Sequence, residues 1–133
     1  MDKVFLGNTG IEISRLVYGT LTLGPLQKNL SVEEGSKCIC YAYDRGITTF
    51  DTAELYRTYP YLREVVKKHD DVKIITKSYA YDKATAQTAV EEAFRELGRD
   101  YIDVFMMHEQ ESEHTIRGHM EALEYYMEMK EKG

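Results

Sequence analysis

Four side chains of different chemical types lie at or near the ends of short apolar runs in this sequence. Asp51 follows "ITTF", Lys77 follows "KIIT" and His108 follows "VFMM", while Tyr56 lies five positions after Asp51 in "DTAELY". In one cavity, these side chains would suit protonation of a carbonyl oxygen while a second reactant adds to the carbonyl carbon.

The residue types suggest separate roles in such a reaction. A phenol is a poor proton donor near neutrality, but an adjacent ammonium stabilises the phenolate, and Lys77 could supply that ammonium to Tyr56. Asp51 would pair with Lys77 and keep it charged in a partly dry pocket. A neutral His108 could donate a hydrogen bond that orients and polarises the carbonyl oxygen.

Each of these residues also has an ordinary structural explanation. A Lys or Asp beyond a strand is commonly a solvated loop charge, and a lone His is commonly structural. Metal-binding residue types cluster after the last apolar run, at His108, Glu109, Glu111, Glu113 and His114. This cluster lacks the His-Glu-x-x-His spacing that places two imidazoles on one helix face. We therefore predict no metal site.

Aromatic and sulfur-bearing pairs elsewhere favour packing roles. Tyr79 and Tyr81 could stack on a flat ligand ring, but packing on a loop surface is the commoner explanation. Cys38 and Cys40 stand two positions apart in a predicted helix, where side chains diverge, so neither a mutual disulfide nor a shared metal is expected. We predict that both cysteines fill the core.

The elements that position these residues alternate between strands and helices. "KVFLGNTGIEIS" predicts a β-hairpin around a turn that is rich in glycine. Strands are predicted at 15–19, 47–50, 72–76 and 102–107. The first two amphipathic helices are predicted from the capping box Ser31/Glu34 to Gly46 and from about Pro60 to Lys68. A third helix, which ends at Gly98, is predicted from the apolar stripe Ala86, Ala89, Val90, Ala93, Phe94 and Leu97. A last helix, which ends at Gly133, is predicted from Ile116, Met120, Leu123 and Met127 on one face.

This alternation defines the fold class. Short apolar strands followed by amphipathic helices indicate parallel strands that are covered by helices. Such units build either an open doubly wound sheet or part of a (β/α)₈ barrel, and "YGTLTLG" lacks the Gly-x-Gly-x-x-Gly pattern of the former. We predict an α/β protein, half of a (β/α)₈ TIM barrel preceded by an N-terminal β-hairpin, in one domain over residues 1–133. Its strand ends would bring Asp51, Lys77 and His108 to one mouth.

Composition narrows the classes of partner. The chain has 133 residues, 43% hydrophobic content and a formal net charge of −6, which suits one globular domain and argues against a nucleic-acid or anionic-membrane binder. It contains no apolar run of membrane-spanning length and no signal-peptide pattern at its start, so we expect a cytoplasmic protein without membrane contact.

The motifs together resemble the N-terminal half of an aldo-keto reductase. The resemblance extends over "LGNTGIEISRLVYGT", "FDTAELY", "ITKS" and "YIDVFMMHEQ". It implies a barrel enzyme that transfers hydride from NADPH to a small aldehyde or ketone. By this resemblance Tyr56 would be the general acid, Lys77 and Asp51 its tuning partners and His108 the carbonyl-orienting group, and Gly19, Thr20 and Asp51 would be close to the cofactor.

Two features depart from the family pattern. Arg57 stands where the family commonly has glycine, which could alter the loop that presents Tyr56. The sequence also contains four strand–helix units, whereas a whole barrel takes about 250 residues. By the resemblance, the second half supplies most of the cofactor contacts, and those residues are absent from this sequence.

A half-barrel exposes unpaired strand edges, so we expect either self-association through these edges or a piece of a longer protein. Two classes of function therefore stay open. One is an NADPH-dependent carbonyl reductase, or the half of one that carries its catalytic residues. The other is a non-catalytic half-barrel that serves as an interaction module or has no activity of its own.

Overall fold

The computed structural model describes residues 1–133, and its elements follow the predicted order. The strands are β1 (Lys3–Phe5), β2 (Glu12–Ser14), β3 (Val17–Gly19), β4 (Thr49–Asp51), β5 (Lys73–Ser78) and β6 (Val104–Met107). The helices are α1 (Val32–Asp44), α2 (Tyr59–Lys68), α3 (Lys83–Leu97), α4 (Glu113–Arg117) and α5 (Met120–Lys132), with a 3-10 turn at Glu54–Tyr56.

The strands form two sheets. β1 and β2 pair antiparallel as the predicted hairpin, and the other four form a parallel sheet in the order β3-β4-β5-β6. In this sheet Gly19 pairs with Asp51, Asp51 with Ile75, and Lys77 with Met106. The predicted hairpin and parallel strand–helix units are therefore confirmed, and the register brings the C-terminal ends of the four strands to one edge.

The main core lies between the parallel sheet and the helices α1, α2 and α3. Its fully buried members include Ile39, Phe50, Leu62, Ile74 and Leu97. Because side chains alternate along a strand, burial of Phe50 and Ile74 against the helices directs their strand neighbours to the opposite, concave face.

The hairpin is attached to the N-terminal end of β4. The hydroxyl oxygen of Ser14 accepts hydrogen bonds from the backbone N–H groups of Thr48 and Thr49, at 3.2 and 3.1 Å, and the Ser14 N–H donates to the Thr49 hydroxyl at 2.9 Å. The hairpin therefore packs at the end of the sheet opposite the strand ends that carry Asp51, Lys77 and His108.

The last predicted helix is wrong in two respects. It is divided into α4 and α5 at Gly118 and His119. Its predicted apolar face is also not the packed one, since Ile116, Met120 and Met127 are all exposed. Helix α5 instead packs on α3 through Ala122 and Tyr126. The small side chain of Ala122 permits close approach of the two helices.

The first helix also departs from prediction. The helical spacing of Val32, Cys38, Ile39 and Ala42 predicts that these four residues face the core, and Ile39 and Ala42 are buried accordingly. Val32 and Cys38 are exposed and Cys40 is only partly buried, so the prediction that both cysteines fill the core is wrong. Both cysteines are free thiols.

The concave face of the sheet and its two edges remain open. β3 and β6 each pair with one neighbour only, and Val17 and Met106 on the concave face are 40% and 39% exposed. None of the helices combines the length and the apolar character that a membrane crossing requires.

Candidate active site

An ion pair between β4 and β5 forms the base of the candidate site. Lys77 Nζ lies 2.8 and 2.9 Å from the two carboxylate oxygens of Asp51 and donates a third hydrogen bond to the carbonyl oxygen of Thr52 at 2.8 Å. Lys77 is only 9% exposed, so its ammonium is held with few contacts to water. The predicted pairing of these two residues is observed.

Tyr56 ends the 3-10 turn that follows β4. Lys77 Nζ lies 5.0 Å from the centroid of the Tyr56 ring, and no hydrogen bond joins the ammonium to the hydroxyl. The ammonium therefore contacts the phenol through its ring while its protons bind Asp51 and Thr52. This arrangement places a positive charge over the face of the Tyr56 ring.

Arg57 does not disrupt the turn that presents Tyr56. It adopts the left-handed conformation with a φ of 57°, a conformation that glycine enters more readily. Its exposed guanidinium forms an ion pair with Glu92 of α3 at 3.1 Å. The Arg57 side chain therefore packs towards helix α3, on the outer side of the sheet.

His108 follows β6 and is only 4% exposed. Its ring lies edge-on to Tyr56, with 5.7 Å between centroids and an interplanar angle of 79°. Burial, and secondly the positive charge of Lys77, lower the pKa of His108 below its ordinary value, so the imidazole is neutral at neutral pH. Its Nδ1 is buried without a hydrogen-bond partner.

Two further side chains contact this group, and the sequence analysis did not assign them to the site. The ring of Tyr79 stacks on His108 with 4.2 Å between centroids and an angle of 15°. Its hydroxyl donates a hydrogen bond to the carboxylate of Glu109, and this bond, followed by burial and the Glu109 charge, raises the pKa of Tyr79 to about 12. Both residues stand next to strand-end positions, which is the signal that could have identified them.

Threonine hydroxyls support the loops around the site. Thr58 Oγ1 lies 2.7 Å from the hydroxyl oxygen of Thr20 and 2.9 Å from that of Thr52, and all three residues are fully buried. The Thr20 hydroxyl also donates to the carbonyl oxygen of Asp51 at 3.0 Å. Thr20 thus contributes to the packing beneath the site through its hydroxyl.

Gly19 leaves its surroundings open at the end of β3. A Cβ placed on this glycine would meet no atom within 4 Å. A planar ring could therefore approach the backbone of Gly19 beside Asp51, which fits the predicted cofactor position. The assignment of Gly19, Thr20 and Asp51 to cofactor binding stays a prediction.

The sequence pattern of the Aldo/keto reductase family matches residues 15–133. The chain belongs to this family of oxidoreductases, whose members are generally NADPH-dependent carbonyl reductases. One relative, the aldo-keto reductase YhdN of Bacillus subtilis, is 31% identical over 126 residues, which cover 81% of this chain and 38% of YhdN.

Solved structures show the same fold. An aldo-keto reductase structure from Pseudomonas aeruginosa superimposes with a TM-score of 0.84 at 23% identity, over 98% of this chain and 56% of that one. A Bombyx mori aldo-keto reductase in complex with NADP gives a TM-score of 0.66 at 22% identity, over 80% of this chain and 37% of that one. The half-barrel prediction is confirmed, and the chain spans about half or less of these relatives.

Proposed function

We propose that this chain carries the proton-transfer half of a carbonyl reductase that uses NADPH as its hydride donor. The observation that carries the proposal is the convergence of Tyr56, the Lys77–Asp51 ion pair and neutral His108 at neighbouring strand ends. Membership of the family supports the reaction type, and the open backbone at Gly19 supports a cofactor ring beside Asp51.

The roles of the side chains follow from their charges and contacts. The bound cofactor supplies hydride to the carbonyl carbon of a small aldehyde or ketone. Tyr56 donates its hydroxyl proton to the carbonyl oxygen, and the ammonium of Lys77 near its ring stabilises the phenolate that is left. Asp51 holds that ammonium in position, and water returns the proton to Tyr56.

His108 orients the carbonyl oxygen as a neutral hydrogen-bond donor. A buried N–H without an acceptor is rarer in proteins than a buried acceptor without a donor, so the unpartnered Nδ1 favours the tautomer with the proton on Nε2. That N–H is then available to the carbonyl oxygen that receives the proton of Tyr56.

Two copies of the chain would complete the barrel. Each open edge lies beside an apolar groove, one of about 520 Å³ next to β3 and one of about 710 Å³ next to β6. If β6 of one copy pairs with β3 of a second copy at both junctions, eight parallel strands close around a two-fold axis without free edges. We therefore propose self-association through these two edges.

Sedimentation can test this association. We expect a mass of twice 15.4 kDa at micromolar concentration. Met106→Lys, on the open concave face, should favour the monomer, whereas Met120→Lys, at a similarly exposed position on α5, should not. A monomer that unfolds cooperatively would contradict the proposal, and so would a dimer that tolerates Met106→Lys.

The proposed function is tested by titrating the purified chain with NADPH while following nucleotide fluorescence. Saturable binding at micromolar concentration by the dimer, followed by oxidation of NADPH on addition of an aldehyde, is the expected result. Absence of binding up to millimolar concentration would contradict cofactor use by this chain.

The second candidate function is a non-catalytic interaction module. It is favoured by one observation: both edge strands of the parallel sheet are unpaired and each lies beside a groove, in a chain that spans about half or less of the length of its relatives. A dimer that forms without any affinity for NADPH would support this alternative. The cytoplasmic location expected from the sequence stays a prediction.

A further inference from the structure

His108 is held between two aromatic rings. Tyr79 covers one face of the imidazole in a near-parallel stack, and Tyr56 meets it edge-on. Neither ring nitrogen of His108 forms a hydrogen bond within the protein, and Nδ1 is buried. Functional imidazoles are ordinarily oriented by a hydrogen bond at the second ring nitrogen, so the orientation of this ring must come from packing.

Tyr79 is in turn fixed by Glu109. The Tyr79 hydroxyl donates to the Glu109 carboxylate, and Glu109 itself has a left-handed backbone conformation with a φ of 51°. A residue other than glycine is strained in this conformation, which persists where surrounding contacts maintain it. The side chain of Glu109 accepts one hydrogen bond, from Tyr79, and this is the contact that would maintain its left-handed backbone conformation.

We propose that Tyr79 and Glu109 form a clamp that fixes the plane of the His108 imidazole and thereby directs its Nε2 towards the substrate oxygen beside Tyr56. Tyr79 and Glu109 are positioning residues in this proposal, because they act through His108. The functional consequence rests on the proposed carbonyl reduction, whereas the clamp itself is a property of the chain alone.

The electrostatic surroundings of His108 allow the clamp to be followed by titration. Lys77 faces the imidazole from β5, Asp51 from β4 and Glu109 from its own loop, and the phenols of Tyr56 and Tyr79 complete the surroundings. Removal of the Tyr79 ring would admit water to His108 and raise the pKa of His108 towards its ordinary value, because burial is the main cause of its depression.

The test is two-dimensional NMR of the imidazole of His108 in the purified chain, in which a stacked ring shifts the imidazole protons upfield. Tyr79→Leu should abolish this shift and raise the pKa of His108. Tyr79→Phe keeps a ring that can stack but loses the hydrogen bond to Glu109, so it should reduce the shift to the same partial extent as Glu109→Ala. Tyr81→Leu, which removes an exposed tyrosine outside the stack, should change neither quantity.

Variants of Glu109 separate the clamp from a simple charge effect and do not remove the stacking ring. Glu109→Ala should reduce the upfield shift and broaden the imidazole signals, because Tyr79 loses its acceptor. Glu109→Gln should preserve the shift, since the amide oxygen still accepts the hydrogen bond, while loss of the negative charge lowers the pKa of His108 further.

Unchanged imidazole shifts in Tyr79→Leu would overturn the proposal, as would unchanged shifts in Glu109→Ala. None of these measurements uses NADPH or turnover. A chain that shows the clamp but binds no NADPH would therefore support the clamp and contradict the proposed function. A chain that binds NADPH but shows no effect of the Tyr79 and Glu109 variants on the imidazole would support the proposed function and contradict the clamp.

Discussion

Lys77 binds both carboxylate oxygens of Asp51 and thereby joins the ends of β5 and β4. The remaining hydrogen bond of the ammonium goes to the backbone of Thr52, so its position is fixed by three acceptors. The ammonium of Lys77 that lies over the Tyr56 ring is consequently fixed by the sheet itself. The proposed chemistry at Tyr56 and the stability of the sheet would therefore depend on the same ion pair.

Replacement of Tyr56 by phenylalanine tests the proton donor. In the NADPH-bound dimer, Tyr56→Phe should lower the rate of carbonyl reduction by about 10²–10⁴-fold, because it removes the general acid but keeps the ring. Affinity for NADPH should change little. Tyr81→Phe, at an exposed position outside both grooves, is the matched control for steady-state assays. Equal rates in the two variants would remove Tyr56 from its assigned role.

Asp51→Asn tests the contribution of the ion pair to stability. The variant leaves the nearly buried Lys77 without a counter-charge and should lower the free energy of unfolding by about 2 kcal/mol, less than the roughly 3–5 kcal/mol for a fully buried pair. The smaller value is expected because the Asp51 side chain is 31% exposed.

Urea unfolding measures this loss, and Lys77→Met in the Asp51→Asn background provides the control. Removal of the uncompensated ammonium should recover part of the lost stability. If Asp51→Asn unfolds at the same urea concentration as the original chain, the pair makes no net contribution.

The lowered pKa of His108 predicts a defined dependence of stability on pH. Below a pH of about 6.5 the unfolded chain binds a proton at His108, whereas the folded chain binds it only at lower pH. The free energy of unfolding should therefore fall as the pH decreases from about 6.5 to the pKa of the folded state, and this contribution should level off below that.

The measurement is urea unfolding across this pH range, with His108→Gln as the comparison. The difference in stability between the two chains should depend on pH only within the stated window. A difference that stays constant with pH would show that His108 titrates equally in the folded and unfolded states.

Thr58→Val tests the threonine network beneath the site. The replacement conserves shape but deprives the buried hydroxyls of Thr20 and Thr52 of a partner, and we expect a loss of about 1–3 kcal/mol in stability. Thr88→Val on the exposed surface of α3 should change stability by less than about 0.5 kcal/mol. Thermal and urea unfolding of both variants would decide whether the network is stabilising.

Most of the site could be predicted because parallel strands end at one edge of a sheet. That rule alone identified Asp51, Lys77 and His108 as neighbours, since each follows a short apolar run. The clamp on His108 could not be predicted in the same way. Contact between Tyr79 and Glu109 depends on the conformations of two separate loops, and a left-handed glutamate has no distinctive sequence signal.

The limits of helical periodicity explain the errors in the last helix. The regular spacing of Ile116, Met120 and Met127 indicated a single buried stripe, but the helix is interrupted at Gly118 and His119, and within α5 itself Met120 and Met127 lie outside the contact with α3. The packed positions are then Ala122 and Tyr126, an alanine and a partly polar aromatic that hydropathy does not emphasise. Contact with α3 determined which face of the helix is buried, and that contact is not encoded by spacing alone.

The order of strands in the parallel sheet is also their order along the chain. Each strand pairs with the one made just before it, through a connection that contains at least one helix. A ribosome that delivers this chain from its N-terminus would therefore release every pairing partner in the sequence in which it is needed. The loops that gather Asp51, Lys77 and His108 would form one after another during translation, and the imidazole would be the last of the three to arrive.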